Sequence, residues 1–376
     1  MRMNSRERVL AAFEHEEPDR VPCWCGASEE FWYKAKQELG LDDEGLRRRF
    51  RDDFRRVYAK YIGPEFPLSE GAKSRTVFGI ERQGIGWGQP MSHPLSEATL
   101  KSVHEYPWPD PRWMDAGSIK AEAEAYGGEY AILGGDWSPF WHDAIELLGM
   151  ENLFVKMYTE PALVHALFRH VVDYYVKVSQ MIFEAAGRSI DIFFIGNDFG
   201  SQEGPLLGPE LFDQFVLPHL ARLVDLGHAY GLKVQLHCCG GVAPLIPSML
   251  RAGLDGLHAV QPNCRGMDLR ELKKNFGDQI LLNGAIDSHR VLIEGTPESV
   301  RQQSREVLDI MMPGGGYVAG ASHDTILEET PLENVLAMFD AVRDFGCYGR
   351  TVRRPIAELR RRGRKRKRPS MFLEES

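Results

Sequence analysis

The second half of the chain alternates between short apolar runs and amphipathic stretches. The runs are AILGG (131–135), IDIFFIGND (190–198), LKVQLHC (232–238), GLHAV (256–260), QILLNG (279–284) and GYVAG (316–320). Each has the length of a strand buried on both faces. Segments with apolar residues at helical spacing lie between them, such as ELFDQFVLPHLARLVDLGHAYG and PLIPSMLRAG. Strands separated by helices pair in parallel through right-handed crossovers. VPCW near the N-terminus, and one strand concealed within residues 50–125, bring the total towards eight. The pattern predicts a single (β/α)8 TIM-like barrel rather than an open doubly wound sheet. No G-x-G-x-x-G follows a strand and no G-x-x-x-x-G-K-S/T occurs, so the phosphate-cradle signals of an open sheet are missing.

The first half decorates this barrel. Asn4 or Ser5 caps an N-terminal helix, SRERVLAAFEHE, and Pro18 and Pro22 then force an extended segment. Residues 28–61 read as helical and charged. From about Lys73 to Pro94 the sequence alternates and is dense in glycine, which predicts an inserted antiparallel hairpin. Residues 1–350 are expected to form one barrel domain, followed by a basic, disordered tail at 351–376.

Composition narrows the possibilities. The 376 residues, 43% of them hydrophobic and 26% charged, suit an ordinary globular protein. No run of 18 apolar residues exists, and the N-terminus is too charged for a secretory signal, so neither a membrane nor export is expected. Six cysteines in so long a chain fit thiols in a reducing cytoplasm rather than a disulfide framework. Net charge is −9, yet residues 353–376 carry +7, which leaves about −16 on the body. An acidic body argues against nucleic acid.

In a barrel of this kind, the C-terminal ends of the strands build the active site. Here they end in Asp136 and Trp137, Asn197 and Asp198, His237 and Cys239, His258 and Gln261, Asn283 and Asp287, and finally Ser322, His323 and Asp324. In VQLHCCGG, His237 and Cys239 are two residues apart, so they share a face while Cys238 points away. An imidazole and a thiolate on one face make half of a zinc site, and His323 is the candidate for the other half. Taken alone, His258 reads as a core histidine, and Asp287 reads equally well as a helix cap. Cys23 and Cys25 read as small core residues.

At these residues the chain resembles the uroporphyrinogen decarboxylase superfamily, on the branch of zinc-dependent corrinoid methyltransferases. The resemblance runs from SRERVLAAFEHEEPDRVP, through NDFGSQEGPLLGPELFDQFVLP and VQLHCCGGVAPLIPSMLRAGLDGLHAVQP, to GGGYVAGASHDTILEETPLENVLAM. It implies zinc held by an H-x-C motif, matched by His237 and Cys239, and by a distant cysteine after a glycine pair. Gly315, Gly316 and His323 stand at that place, with histidine instead of cysteine. One thiolate and two neutral imidazoles would leave the centre at +1, and Asp198 as fourth ligand would return it to zero. True decarboxylases of the superfamily carry an R-Q-A-G-R segment whose arginines grip carboxylates. PCWCGASEEFW stands there instead, without an arginine.

The reading that follows is a zinc methyltransferase moving a methyl group between a small substrate and a corrinoid. The chain lacks the D-x-H-x-x-G pattern of a corrinoid carrier, so the methyl-corrinoid is expected on a partner protein. His237, Cys239 and His323 would hold the metal, with Asp198 as fourth ligand or proton acceptor. Trp24, Asp136, Trp137, Asn197, Gln202, Gln261 and Asn283 would contact the substrate. The alternatives are a decarboxylase-like lyase acting on a carboxylated substrate and a non-catalytic barrel that binds a small molecule.

Overall fold

A computed structural model describes residues 3–84 and 88–349. Seven strands form one parallel sheet in chain order: β1 (Phe54–Arg56), β2 (Ala131–Gly134), β3 (Ile192–Gly196), β4 (Lys233–His237), β5 (Gly256–Val260), β6 (Leu281–Ile286) and β7 (Tyr317–Ala321). Residues 22–24 supply the eighth stave. Cys23 bridges in parallel to Asp52 on one side and to Ala319 on the other, which closes the sheet. Hydrogen bonds from Trp24 N to Ala319 O and from Ala319 N to Pro22 O, both 2.9 Å, complete the seam. The expected TIM-like barrel is the observed fold.

The six strands read from apolar runs are present, each within two residues or so of its expected ends. Their largely buried sequences explain why they are legible: β3 is Ile-Phe-Phe-Ile-Gly, with every residue buried. The concealed strand is β1, which corrects the helical reading of residues 28–61. Helices Glu29–Leu39 and Asp43–Arg49 end first, and Phe54-Arg55-Arg56 then pairs with β2. A buried arginine is tolerated in this strand because Arg55 pairs with Glu44 at 2.8 Å and lies 3.7 Å over the Tyr130 ring. The insertion is a three-stranded antiparallel sheet, Ser74–Arg75, Glu81–Gln83 and Gln89–Pro90, rather than a two-stranded hairpin. The basic segment 351–376 lies outside the described residues. No helix among the described residues is long and apolar enough to cross a membrane.

The N-terminal helix Ser5–Phe13 plugs the barrel. Asn4 accepts from the Glu7 amide at 2.8 Å and the Glu7 carboxylate accepts from the Asn4 amide at 3.0 Å, a reciprocal cap that fixes where the helix starts. Its Val9, Ala12 and Phe13 pack with Phe54, Leu133, Phe194 and Val318 from the barrel interior. Burial of a side chain such as Phe13 contributes roughly 1.5–3 kcal/mol.

Three carboxylates stand just before strands at this plugged end. Asp53 precedes β1, Asp191 precedes β3 and Asp255 precedes β5. Each accepts a hydrogen bond from a backbone amide of the preceding stave: Cys23 at 2.8 Å, Ile132 at 3.0 Å and Val234 at 2.8 Å. Each also meets a basic side chain: Arg8 and Arg20 for Asp53, Arg6 for Asp191 and His228 for Asp255. The carboxylates thereby fasten neighbouring staves to one another.

Candidate active site

At the opposite end of the barrel, β3 and β4 deliver three ligand-type side chains to one point. The loop after β3 carries Asp198, β4 ends in His237, and Cys239 follows two residues on. Asp198 Oδ1 lies 3.3 Å from His237 Nε2 and 3.1 Å from Cys239 Sγ, and it also accepts from the Cys239 amide at 3.0 Å. Cys238 points away as expected, and its sulfur accepts from the Phe199 amide at 3.3 Å. Gly240 turns the chain at φ 92°, and a Cβ there would meet the Gly200 backbone at 2.6 Å, so the turn requires glycine.

Electrostatics follow from this packing. Burial opposes ionisation of Asp198, but hydrogen bonds from His142 and His237 and their charges overcome it and hold the carboxyl far below its ordinary range. Burial and then the Asp198 carboxylate push the Cys239 thiol up. For His237, burial works against the proton, yet the Asp198 hydrogen bond and the Asp324 charge raise it above its ordinary value. His258 is fully buried, and burial holds it down to about 3. It is therefore neutral near neutral pH and can accept at Nδ1, which lies 3.1 Å from His237 Nδ1.

The trio passes a simple test for a divalent metal. Tetrahedral zinc with bonds of about 2.0–2.3 Å separates its ligand atoms by roughly 3.3–3.5 Å. The observed 3.3 Å matches and 3.1 Å is slightly shorter. All three ligand atoms fall within 4.8 Å of one another. A carboxylate and a thiolate would neutralise the ion, and oxygen, nitrogen and sulfur together suit zinc. Outer contacts are also in place, since His142 Nε2 is 3.4 Å from Asp198 Oδ2 and His258 backs His237. His237, His258 and Asp324 form a second, deeper group of the same kind.

His323 does not join either group. Its Nδ1 sits 3.2 Å from both the amide nitrogen and the carbonyl oxygen of Thr325, so the 322–325 turn folds the ring back on itself. It lines a cavity of about 440 Å³ with Gln202, Gln261 and Cys264. Of the expected ligands, His237, Cys239 and Asp198 therefore stand together, and His323 stands apart from them.

The residues expected to contact substrate differ in their surroundings. Asn197 is fully buried and fully used: Oδ1 accepts from the Trp141 amide at 2.9 Å, and Nδ2 donates to Ser138 O at 3.1 Å. It positions the loop after β2 rather than facing a cavity. Gln261 accepts from the Gly240 amide at 2.6 Å and so steadies the glycine turn. Asp136 accepts from the Ser138 amide at 3.0 Å, and burial raises its pKa. Gln202 is exposed at the rim. Asn283 is fully buried with neither amide atom partnered, and Trp24 is buried with Nε1 unpartnered. Trp137 lies across the end of β3, where a Cβ on Gly196 would meet its ring at 1.9 Å, and its ring is 5.6 Å from that of His237. Asp287 caps the following turn, accepting from His289 N and Arg290 N.

Sequence reasoning missed three residues. His142 lies on helix Phe140–Leu148, away from any strand end. Asp324 was read only as a polar end beside His323. Arg56 ends β1, the strand that was not located.

With this geometry in hand, comparisons with known proteins give the class. The family model described as uroporphyrinogen decarboxylase (URO-D) matches residues 99–345, well over half of the chain. The chain belongs to that family. Two proteins named Methylcobamide:CoM methyltransferase MtbA are similar to it. The one from Methanosarcina acetivorans is 26% identical over 232 residues, 61% of this chain and 62% of that protein. The one from Methanosarcina mazei is 25% identical over 358 residues, 90% of this chain and 98% of that protein. A uroporphyrinogen decarboxylase from Pseudoalteromonas translucida is 25% identical over 280 residues, 70% of this chain and 73% of that protein. Among solved structures, a methyltransferase from Methanosarcina mazei superposes with a TM-score of 0.62 at 20% identity, covering 91% of this chain and 99% of that one. Methyltransferase and decarboxylase relatives are therefore equally similar in sequence.

Proposed function

We propose that this protein is a methyltransferase that holds a divalent metal, zinc by its donor chemistry, on Asp198, His237 and Cys239. It exchanges a methyl group between a small substrate and a separate corrinoid protein. The observation that carries this reading is the convergence of one carboxylate, one imidazole and one thiol at the mouth of the barrel. The corrinoid partner is supported by the similarity to proteins named methylcobamide methyltransferases.

A bound zinc would supply a Lewis acid that lowers the pKa of a coordinated thiol, alcohol or water. The chain's own residues prepare for it. Asp198 and Cys239 would offer the two negative charges to such an ion, Cys239 as its thiolate. His142 steadies the second Asp198 oxygen, and His258 fixes the orientation of the His237 ring. Trp137 lies with its ring 5.6 Å from that ring.

Metal analysis of protein purified without chelator tests the first step, with one zinc per chain expected. Absorbance of methylcobalamin, followed as candidate acceptors are added, tests the second. A Cys239→Ala variant that retains full zinc would remove the basis of the site.

A second reading, a decarboxylase-like lyase, draws on the Pseudoalteromonas relative. Detection of coproporphyrinogen after incubation with uroporphyrinogen would favour it. A substrate with eight carboxylates calls for several free cations, because paired Arg–carboxylate contacts are the strong ones. Arg47 and Arg55 near the mouth are already committed to Asp52 and Glu44.

A further inference from the structure

A cavity of about 720 Å³ opens against the end of β1, the segment after Cys23 and Asp324. Four cations and three carboxylates, Glu29, Asp52 and Asp324, line it, and three of the cations are neutralised within the protein. Lys36 meets Asp43 at 3.0 Å, Arg47 meets Asp52 at 2.8 Å and Arg55 meets Glu44 at 2.8 Å. Arg56 is the fourth, and it has no carboxylate within ion-pair distance among the described residues. Its Nε is buried without a hydrogen-bond partner. Its guanidinium lies 4.8 Å from the Tyr58 ring, 5.0 Å from Trp137 and 5.2 Å from Phe194. Aromatic rings thus surround the guanidinium, and no protein acceptor meets its Nε–H.

A second unpartnered donor lines the same cavity. Trp24 is 7% exposed, and its Nε1 has no hydrogen-bond partner. Buried donors are almost always paired in folded proteins, so two of them around one cavity call for an acceptor. The surrounding walls, Trp24, Phe54 and Tyr58, are aromatic.

From this geometry we infer that Arg56 anchors a carboxylate of the substrate, and that the substrate is an arene carboxylate. The Nε–H and the Nη–H on the same edge of Arg56 make the parallel pair of donors that a carboxylate accepts. The arene body lies among the aromatic walls. Trp137 touches both Arg56 and His237, so a single indole separates the anchor from the ligand cluster. The inference rests on the reading of Asp198, His237 and Cys239 as the reacting centre, and it adds what that reading leaves open, the class of substrate.

Titration calorimetry on the full chain with 4-methoxybenzoate and 4-methoxybenzamide tests this inference. The two probes share shape and differ in charge. The carboxylate is expected to bind at least tenfold more tightly than the amide, Arg56→Gln should erase the difference, and Arg56→Lys should restore part of it. Equal binding of the two probes to the unaltered protein overturns the inference, as does saturable binding of neither. So does a folded Arg56→Gln protein that keeps the preference. If Arg56→Gln does not fold, the comparison on the unaltered protein still decides. Failure of this inference is separable from failure of the methyltransferase reading. Tight binding at Arg56 with no methyl transfer to cobalamin sinks the latter alone, and transfer from neutral methoxyarenes as fast as from carboxylates sinks the former alone.

Discussion

At the plugged end of the barrel, Asp53, Asp191 and Asp255 each accept a backbone amide and face a basic side chain. At the mouth, Asp198 also sits among basic groups, but several buried groups elsewhere in the barrel are unsatisfied. His258 Nε2, both amide atoms of Asn283, Trp24 Nε1 and Arg56 Nε are buried with no partner. The same kind of side chain is therefore used in two ways. Where each donor and acceptor is matched inside the protein, the cluster contributes stability and has nothing left to offer a ligand. Where atoms are held dry and unmatched, stability is given up for binding capacity. Conservation of fold and provision of chemistry are thus separated along the barrel axis, as expected for this architecture.

Five variants or conditions would sharpen or break this contrast. The largest effect is expected at the plugged end. Asp53→Ala would leave Arg8 and Arg20 facing each other without their shared carboxylate, at a cost of about 3–5 kcal/mol measured by chemical denaturation. A loss below ~1 kcal/mol would show that the bottom cluster does not fasten the staves. Next, Cys239→Ala should lower zinc affinity by at least about a hundredfold in a chelator competition while leaving the unfolding midpoint nearly unchanged. His258→Phe should weaken zinc by roughly ten- to a hundredfold, because the ring that orients His237 would no longer accept its proton. By contrast, His323→Ala should leave zinc affinity within about threefold of the parent. A drop as deep as that of Cys239→Ala would mean that the 322–325 turn rearranges to bring the ring to the metal.

A further contrast concerns pH. His219, on helix Leu217–Ala229, is held down to about 3 by burial and then by Arg222, His165 and Arg169. Its depressed value means that the unfolded chain takes up a proton near pH 6.5 while the folded chain does not. The stability it contributes is complete above pH 6.5 and is lost as pH falls towards 3, by at most about 1.4 kcal/mol per pH unit. His219→Gln should flatten the acid side of the stability profile by up to that slope, and an unchanged slope would assign the acid sensitivity to other groups.

Much of the barrel was legible because β2 to β7 are apolar on both faces, and a parallel sheet covered by helices requires that. β1 was not, because Phe-Arg-Arg looks like a helix surface until Glu44 and Tyr130 are seen to satisfy Arg55. The candidate site was legible in part for the same reason. Asp198, His237 and Cys239 follow strands whose ends could be counted. His142 could not be found this way, since helix Phe140–Leu148 brings it in from the side. The place of His323, apart from His237 and Cys239, depends on a turn conformation. Adjacent residues in a loop point in different directions, and spacing alone does not fix which one faces the strand ends. Arg56 was lost together with its strand, and so the cation that the segment after Cys23 lacks was not anticipated.

The join at Cys23 has a consequence for how the molecule is made. One residue near the start of the chain must find Asp52 beside it and Ala319 in the last strand before the cylinder exists. A ribosome releases the first of these partners soon after Cys23 and the other only much later. Helix Ser5–Phe13 and the adjoining stave therefore have to wait, their apolar side uncovered, until β7 arrives. Closure of so long a loop is intrinsically slow, and the exposed interval is the period in which this protein is most vulnerable to sticking to its neighbours.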